Sequence, residues 1–352
     1  MNGPQPQPET KPITIIDVAK LAGVSIKTVS RVMNREKGVG QETRERVEKI
    51  IQDLAYVPNV SARALSSHRN YLIGFPINKE IVHEYFMLIQ LGAADACFRQ
   101  GYHLATESGP ESDADFDRYF QQNFARKTYD GVILTPPLSD NPLFVERLQK
   151  RGVGVVRITP ARDFDLTPYV STNDEEAGYQ MTSAICDAGH RLIALIEGPP
   201  DHQSSEFRKR GYIRALRDHG LEPSQPLLAT GDYTSISGFE AAERLLAQSP
   251  RPTAIFALND SMALGALAAC NKHGLRAPED ISVVGFDDIP AASTCWPPLT
   301  TVSQPIRRMG EAATELLIGQ IGDPGHRGKD WSIFLPCEIV RRGSLGPPPT
   351  RP

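Results

Sequence analysis

Along the first sixty residues the apolar positions recur at helical spacing, and beyond residue 70 they gather into short runs separated by amphipathic stretches. Val18, Ala19 and Ala22 share one face of a first helix, Gly23 supplies the freedom for a sharp turn, and Ser25 is placed to cap a second helix. There Val29, Val32 and Met33 fall at i, i+3 and i+4, leaving Lys27, Thr28, Ser30 and Arg31 outside. The stretch 14–34 therefore reads as a helix-turn-helix. Its outer face is polar, basic and short-armed. Such a face suits the major groove of DNA, where Arg and Lys donate to guanine and Ser or Thr meets phosphates or base edges. A third helix is predicted over 41–55, with Val47, Ile50, Ile51 and Leu54 inward and Gly40 a tolerable cap. Tyr56-Val57-Pro58 then stops it.

From residue 71 strands and helices alternate. Strands are predicted at 72–77, 103–107, 131–135 and 153–158, then at 192–197, 227–230, 254–258 and 282–286. Helices are expected near 86–100, 112–126, 141–150, 174–188, 205–219, 235–248 and 260–273, and another at 305–321 whose Ile306, Met309, Ala313, Leu316 and Leu317 pack in the core. That rhythm implies an α/β core of two parallel-sheet subdomains, whose ligands sit beyond the carboxyl ends of strands.

Charge sharpens the division. Residues 11–72 carry 11 basic against 6 acidic side chains, residues 73–352 carry 27 against 35, and Glu9 is the one charged side chain before them, inside a chain of net charge −4. A basic head on an acidic body points to polyanion binding by the head alone. Cys97, Cys186, Cys270, Cys295 and Cys337 show no ligand spacing and read as reduced thiols of a cytoplasmic protein. No apolar run approaches a membrane span, and the first residues lack a secretory core. The Pro-rich ends, 1–12 and 343–352, are expected to be disordered tails.

The segments Asp17-Val18-Ala19, Ala22-Gly23-Val24-Ser25 and Thr28-Val29-Ser30-Arg31-Val32, followed by Asn34, closely resemble the N-terminus of the LacI/GalR family of bacterial transcription regulators. The resemblance runs from about residue 13 to 342. It implies an all-α helix-turn-helix head (13–58), a hinge helix and linker (59–70), and a periplasmic-binding-protein-like core (71–342). Within that core, an N-subdomain of about 71–158 plus 304–325 and a C-subdomain of about 159–303 plus 330–342 are expected. By resemblance Ile26 and Lys27 choose the operator, Arg31 is a third base reader, and Thr14, Ser25, Thr28, Ser30 and Asn34 position the DNA backbone. Ile26 cannot hydrogen-bond a base, so a thymine methyl is its expected partner. Asn59 is placed to cap a short hinge helix. Leu65, with Ala62 beside it, matches the residue that family members wedge into the minor groove; packing against the core is the alternative.

In the core the resemblance implies that Arg208, Asn259 and Asp287 bond effector hydroxyls and that Tyr233 stacks on a sugar ring. Spaced donors and acceptors with one aromatic face are what a polyol requires. Plainer readings stand beside these. Asp260 and Asp288 could cap the helices after them, Tyr233 could be a boundary aromatic, and Arg208 could pair with Asp260 or Asp287. His190 reads as a helix-end residue. Arg157 ends a strand where many family members carry an Asp, which raises two options: a forked contact to an anionic effector, or donation to neutral hydroxyls or to Asp287.

No GxSxG elbow, Walker loop, HExxH or GxGxxG occurs, and the eight His are scattered, so the sequence predicts no enzyme, no cofactor and no metal site. The expected function is a repressor of carbohydrate uptake or catabolism genes. It would act as a cytoplasmic homodimer on a pseudo-palindromic operator, nucleoid-associated when bound and switched by a sugar or sugar derivative. The alternative is a solute-binding or sugar-processing protein with an appended DNA-binding head.

Overall fold

The computed structural model describes residues 13–33, 38–54, 56, 69–77, 84–110, 113–124, 129–200, 202–223, 227–322 and 332–350. Contacts divide the chain into two compact units, Met1–Asn70 and Tyr71–Pro352. In the first, α1 (Ile15–Ala22), α2 (Ile26–Met33) and α3 (Gln41–Asp53) close over Val18, Val29 and Val47, none of which is exposed. Asp17 accepts from the Thr14 backbone N–H at 2.8 Å and from its hydroxyl at 2.7 Å, which fixes the first turn of α1. Gly23 ends α1 with φ +63°, a conformation costly for a side-chain-bearing residue. Ser25 Oγ accepts from the Thr28 N–H at 3.1 Å and so caps α2. α3 stops at Asp53, two residues short of the expected end, with Leu54 closing it.

The second unit carries two six-stranded sheets. In chain order the strands are β1 (Leu72–Ile77), β2 (His103–Ser108), β3 (Gly131–Leu134), β4 (Gly154–Ile158) and β5 (Tyr169–Ser171), then β6 (Ile193–Glu197), β7 (Leu228–Thr230), β8 (Ala254–Ala257), β9 (Ser282–Asp287) and β10 (Thr300–Ser303). The short β11 (Ile333–Phe334) and β12 (Glu338–Val340) come last. The first sheet runs β11-β5-β4-β3-β1-β2 and the second β12-β10-β9-β8-β6-β7. Every pairing is parallel except β10 with β12. Their helices are α4 (Glu84–Arg99), α5 (Asp113–Asn123), α6 (Pro142–Lys150), α7 (Asp174–Asp187), α8 (Gln203–Asp218), α9 (Ser235–Leu246), α10 (Asp260–Lys272), α11 (Pro290–Thr294) and α12 (Ile306–Gly322).

Central strands are buried along their whole length, as helix-covered parallel strands must be. Three helix pairs meet backbone to backbone through glycines. A Cβ on Gly92 of α4 would sit 1.9 Å from the Arg307 carbonyl oxygen of α12, and one on Gly310 would sit 2.1 Å from that of Ile89. Gly178 and Gly211 do the same for α7 and α8, and Gly238 and Gly265 for α9 and α10.

Two boundaries differ from those read in the sequence. β5 pairs with β4 and β11 with β5, so the first crossover between subdomains follows Ser171 rather than Ile158. Val170 is fully buried in that sheet, which is why the segment cannot leave it. Residues 343–350 are not a disordered tail. The buried Ser344 hydroxyl accepts from the Thr300 N–H at 2.8 Å, and its carbonyl accepts from the Val283 N–H at 3.0 Å, so these residues cover an otherwise open strand edge. The tail 1–12 and the last two residues lie outside the described residues.

Candidate functional site

On α2 the inward Val29 and Val32 leave Ile26, Lys27 and Arg31 exposed on the opposite side, with Ile26 48% exposed. Thr28 and Ser30 are half-buried at its edges, and the Thr28 hydroxyl lies 2.9 Å from Ser25 Oγ. Thr14 is exposed at the start of α1. Asn34 and the hinge residues Asn59, Ala62 and Leu65 fall outside the described residues.

In the second unit a cavity of about 50 Å³ lies between the subdomains at the carboxyl ends of the strands. It has room for a few water molecules and not for a pyranose ring. Arg208, Tyr233, Asn259 and Asp287 all line it. α8 delivers Arg208 fully into the interior. Its Nε donates to Asp174 Oδ1 at 2.6 Å, its Nη1 donates to the Leu258 carbonyl at 2.7 Å and stands 3.7 Å from Asp287 Oδ1, and the guanidinium lies 3.7 Å over the Phe286 ring. Burial opposes this charge, but Asp174 and Asp287 outweigh it and hold the Arg208 pKa above its ordinary value.

Asp287 ends β9 with φ +119°, accepts from Gln304 Nε2 at 2.7 Å, and burial pushes its pKa up to about 7 despite Arg208. Asn259 caps α10, its Oδ1 accepting from the Met262 N–H at 2.9 Å while its Nδ2 donates to the Tyr233 carbonyl at 3.0 Å. Tyr233, at φ +70°, lays its ring on Gly198, where a Cβ would be 2.3 Å from the ring carbon Cζ. Thr159, Tyr233 and Asp287 are all non-glycine residues at positive φ on the cavity wall. Strained backbone gathered at one cavity marks a place where function outranks local stability.

The remaining expectations sort differently. Asp260 neither caps nor lines the cavity: its carboxylate accepts from the Ile289 N–H at 2.9 Å and from the Thr301 hydroxyl, and burial raises its pKa well above the usual value. Asp288 pairs with Arg342 at 2.6 Å. His190 is buried, with Nδ1 2.9 Å from Thr253 Oγ1 and Nε2 2.9 Å from the Gly346 carbonyl, and burial lowers its pKa.

Arg157 is the clear correction. It is 1% exposed and does not reach the cavity. Its Nε donates to Thr167 Oγ1 at 2.9 Å, Nη1 to the Ser139 and Arg162 carbonyls at 3.2 and 3.0 Å, and Nη2 to the Asp163 carbonyl. It faces the loop 159–168 instead of a ligand. Burial lowers its pKa, against the weaker pull of Asp140 and Asp163. Thr159, two residues on, is the strand-end residue that faces the cleft.

Sequence reasoning also missed Asp174, hidden in an acidic first helical turn that reads as a cap signal. Ser204, one helical turn ahead of Arg208, could have been found from that spacing, whereas His202, at the N-cap of the same helix, could not. Tyr85 and Phe86, at the start of α4, form the opposite wall, with the Tyr85 hydroxyl bonded to Thr159.

Residues 14–59 match the bacterial regulatory proteins of the lacI family, and 182–345 match a periplasmic binding protein-like domain. The HTH-type transcriptional repressor PurR of Aliivibrio fischeri (strain MJ11) is 34% identical over 334 residues, covering 94% of this chain and 98% of the relative. The chain belongs to the LacI family. Two solved LacI-type structures agree with this. A transcriptional regulator CelR–cellobiose complex has a TM-score of 0.71 at 32% identity, covering 94% of this chain and 99% of its own. The lac repressor dimer bound to operator and the anti-inducer ONPF has a TM-score of 0.73 at 29% identity, covering 96% and 100%. This LacI-family protein is accordingly a transcription regulator, with a helix-turn-helix head and a ligand-binding core. A stand-alone solute-binding or sugar-processing role is not favoured.

Proposed function

We propose that the protein is a sequence-specific repressor that binds operator DNA as a homodimer through the exposed face of α2, and that a neutral polyol bound at the Arg208–Asp287 cavity changes its affinity for DNA. Ile26, Lys27 and Arg31 would read bases, while Thr14, Ser25, Thr28 and Ser30, with Asn34, would hold phosphates. Asn59, Ala62 and Leu65 would supply the hinge contacts. The protein would work in the cytoplasm, on the nucleoid, and catalyse no reaction.

The observation that carries the effector reading is the pairing of Arg208 with two buried carboxylates beside Asn259 and Tyr233. Its charge is already answered, so an anionic ligand would meet Asp174 and Asp287 rather than a spare cation. With Arg157 turned away, the charged-effector option loses its support. Hydroxyls, by contrast, can both donate to these carboxylates and accept from the guanidinium. A ring enters only if the Tyr85–Phe86 and Tyr233 walls part, so binding and cleft opening are one event, the differential contact that a coupling free energy requires. Fluorescence anisotropy on an operator selected from random DNA tests the scheme. Titrating neutral sugars should shift operator affinity at least tenfold for one of them. A sugar that binds the core yet leaves DNA affinity unchanged would refute the coupling.

A further inference from the structure

Next to the inner cavity lies a second hollow of about 400 Å³, and the two share Thr159, Asp174 and Ser204 on their walls. We infer that this outer hollow is the seat of a second ring, so that the effector is a neutral two-ring glycoside, a disaccharide or an aryl glycoside; the inference rests on the neutral-polyol reading above. Its size falls within the range of small-molecule sites, roughly 300–1,000 Å³. Phe164 and Phe207 stand on its wall. Phe164 is 46% exposed yet held in place, its ring 5.3 Å from that of Tyr169.

What holds Phe164 is the buried Arg157. Its guanidinium bonds the carbonyls of Arg162 and Asp163, the two residues before Phe164, while Asp140 Oδ1 accepts from the Ala161 N–H at 2.6 Å. A buried cation and a carboxylate are thus both committed to fixing a loop that presents an aromatic to solvent. A fixed aromatic is a preorganised surface for the C–H face of a sugar or for an aryl group.

Charge excludes the obvious competitor, a phosphorylated or acidic ligand. On the outer wall Arg214 lies 3.3 Å from Glu175 and also bonds Glu176, so the described walls of both hollows set Arg208 and Arg214 against Asp174, Glu175, Glu176 and Asp287. The balance is negative and both arginines are engaged.

Calorimetry on the full chain tests this with a fixed panel: glucose, galactose, mannose and xylose as methyl glycosides, phenyl glycosides and disaccharides. For at least one sugar, a two-ring member should bind tenfold or more tightly than its methyl glycoside. Phe164→Ala and Phe207→Ala should each erase most of that gain while leaving the methyl glycoside's Kd within twofold. Phe164→Leu, which keeps an apolar contact to Tyr169, should lose it as well. Equal affinity of one-ring and two-ring members, or variants that weaken both alike, would overturn the second subsite alone. A panel in which nothing binds would overturn the polyol reading and the subsite with it.

Discussion

Two buried arginines, one in each subdomain, are satisfied in opposite ways. Around Arg157 the direct partners are a hydroxyl and backbone carbonyls, of Ser139 and of the loop 159–168, and burial depresses its pKa. Around Arg208 two carboxylates share the charge and its pKa rises. A cation held by carbonyls fixes a backbone shape and has nothing to exchange. One held by carboxylates forms a set whose members can trade partners with an incoming hydroxyl, at a cost set by how well the ligand replaces each bond. The first region is a brace and the second is a receptor.

The sharpest way to break this contrast is to remove each cation in turn. Arg208→Met should destabilise the core by about 3–5 kcal/mol, because Asp174 and Asp287 are left buried without a counter-charge. Urea denaturation would show it, and a loss under 1 kcal/mol would mean that the carboxylates never depended on Arg208. Arg157→Met should cost less, about 2 kcal/mol, since it leaves neutral carbonyls near water. Its mark should be selective: weaker binding of two-ring glycosides with one-ring binding retained.

Titration supplies the smaller effects. The Asp287 pKa is about 7 in the fold against an ordinary 3.8, so its contribution is fully present below pH 4 and fades as pH rises through 7. Compared with Asp287→Asn, the wild type should therefore lose stability between pH 5 and pH 8; parallel curves would refute the raised pKa. His190 runs the other way. Its pKa is lowered in the fold, so its contribution holds above about pH 6.5 and is lost as the pH falls below that. His190→Gln should flatten the acid side of the stability curve by a few tenths of a kcal/mol to about 1 kcal/mol, read from melts at pH 5 and 7.

The same contrast explains what the sequence could tell. Long helices and central strands were legible from period and length, whereas β5, β10, β11 and β12 are two to four residues long and too short to show a period. Arg157 could not be aimed from sequence because β4 is covered on both faces and its residues give no inside-outside alternation. Asp174 hid because an acidic residue at a helix start has an ordinary explanation. Arg208, Asn259 and Asp287 were found through the family resemblance, and Asn259 and Asp287 also because each ends an apolar strand run. Asp174, the partner of Arg208, was found only once the fold had brought it 2.6 Å from the guanidinium.

The glycine crossings of α4 with α12, α7 with α8 and α9 with α10 carry a mechanical consequence. Helices locked at backbone contact cannot slide or swell without collision, so each subdomain has little compliance of its own. Between the sheets the described chain crosses after Ser171, after Ser303 and after Phe334, and none of these segments contains such a lock. Any work done on the cleft by a ligand is then delivered as displacement of whole bodies about three thin straps, with almost nothing dissipated inside them. A single alanine at Gly92, Gly178 or Gly265 should act like grit in a bearing, altering how the lobes transmit force before it alters what they bind.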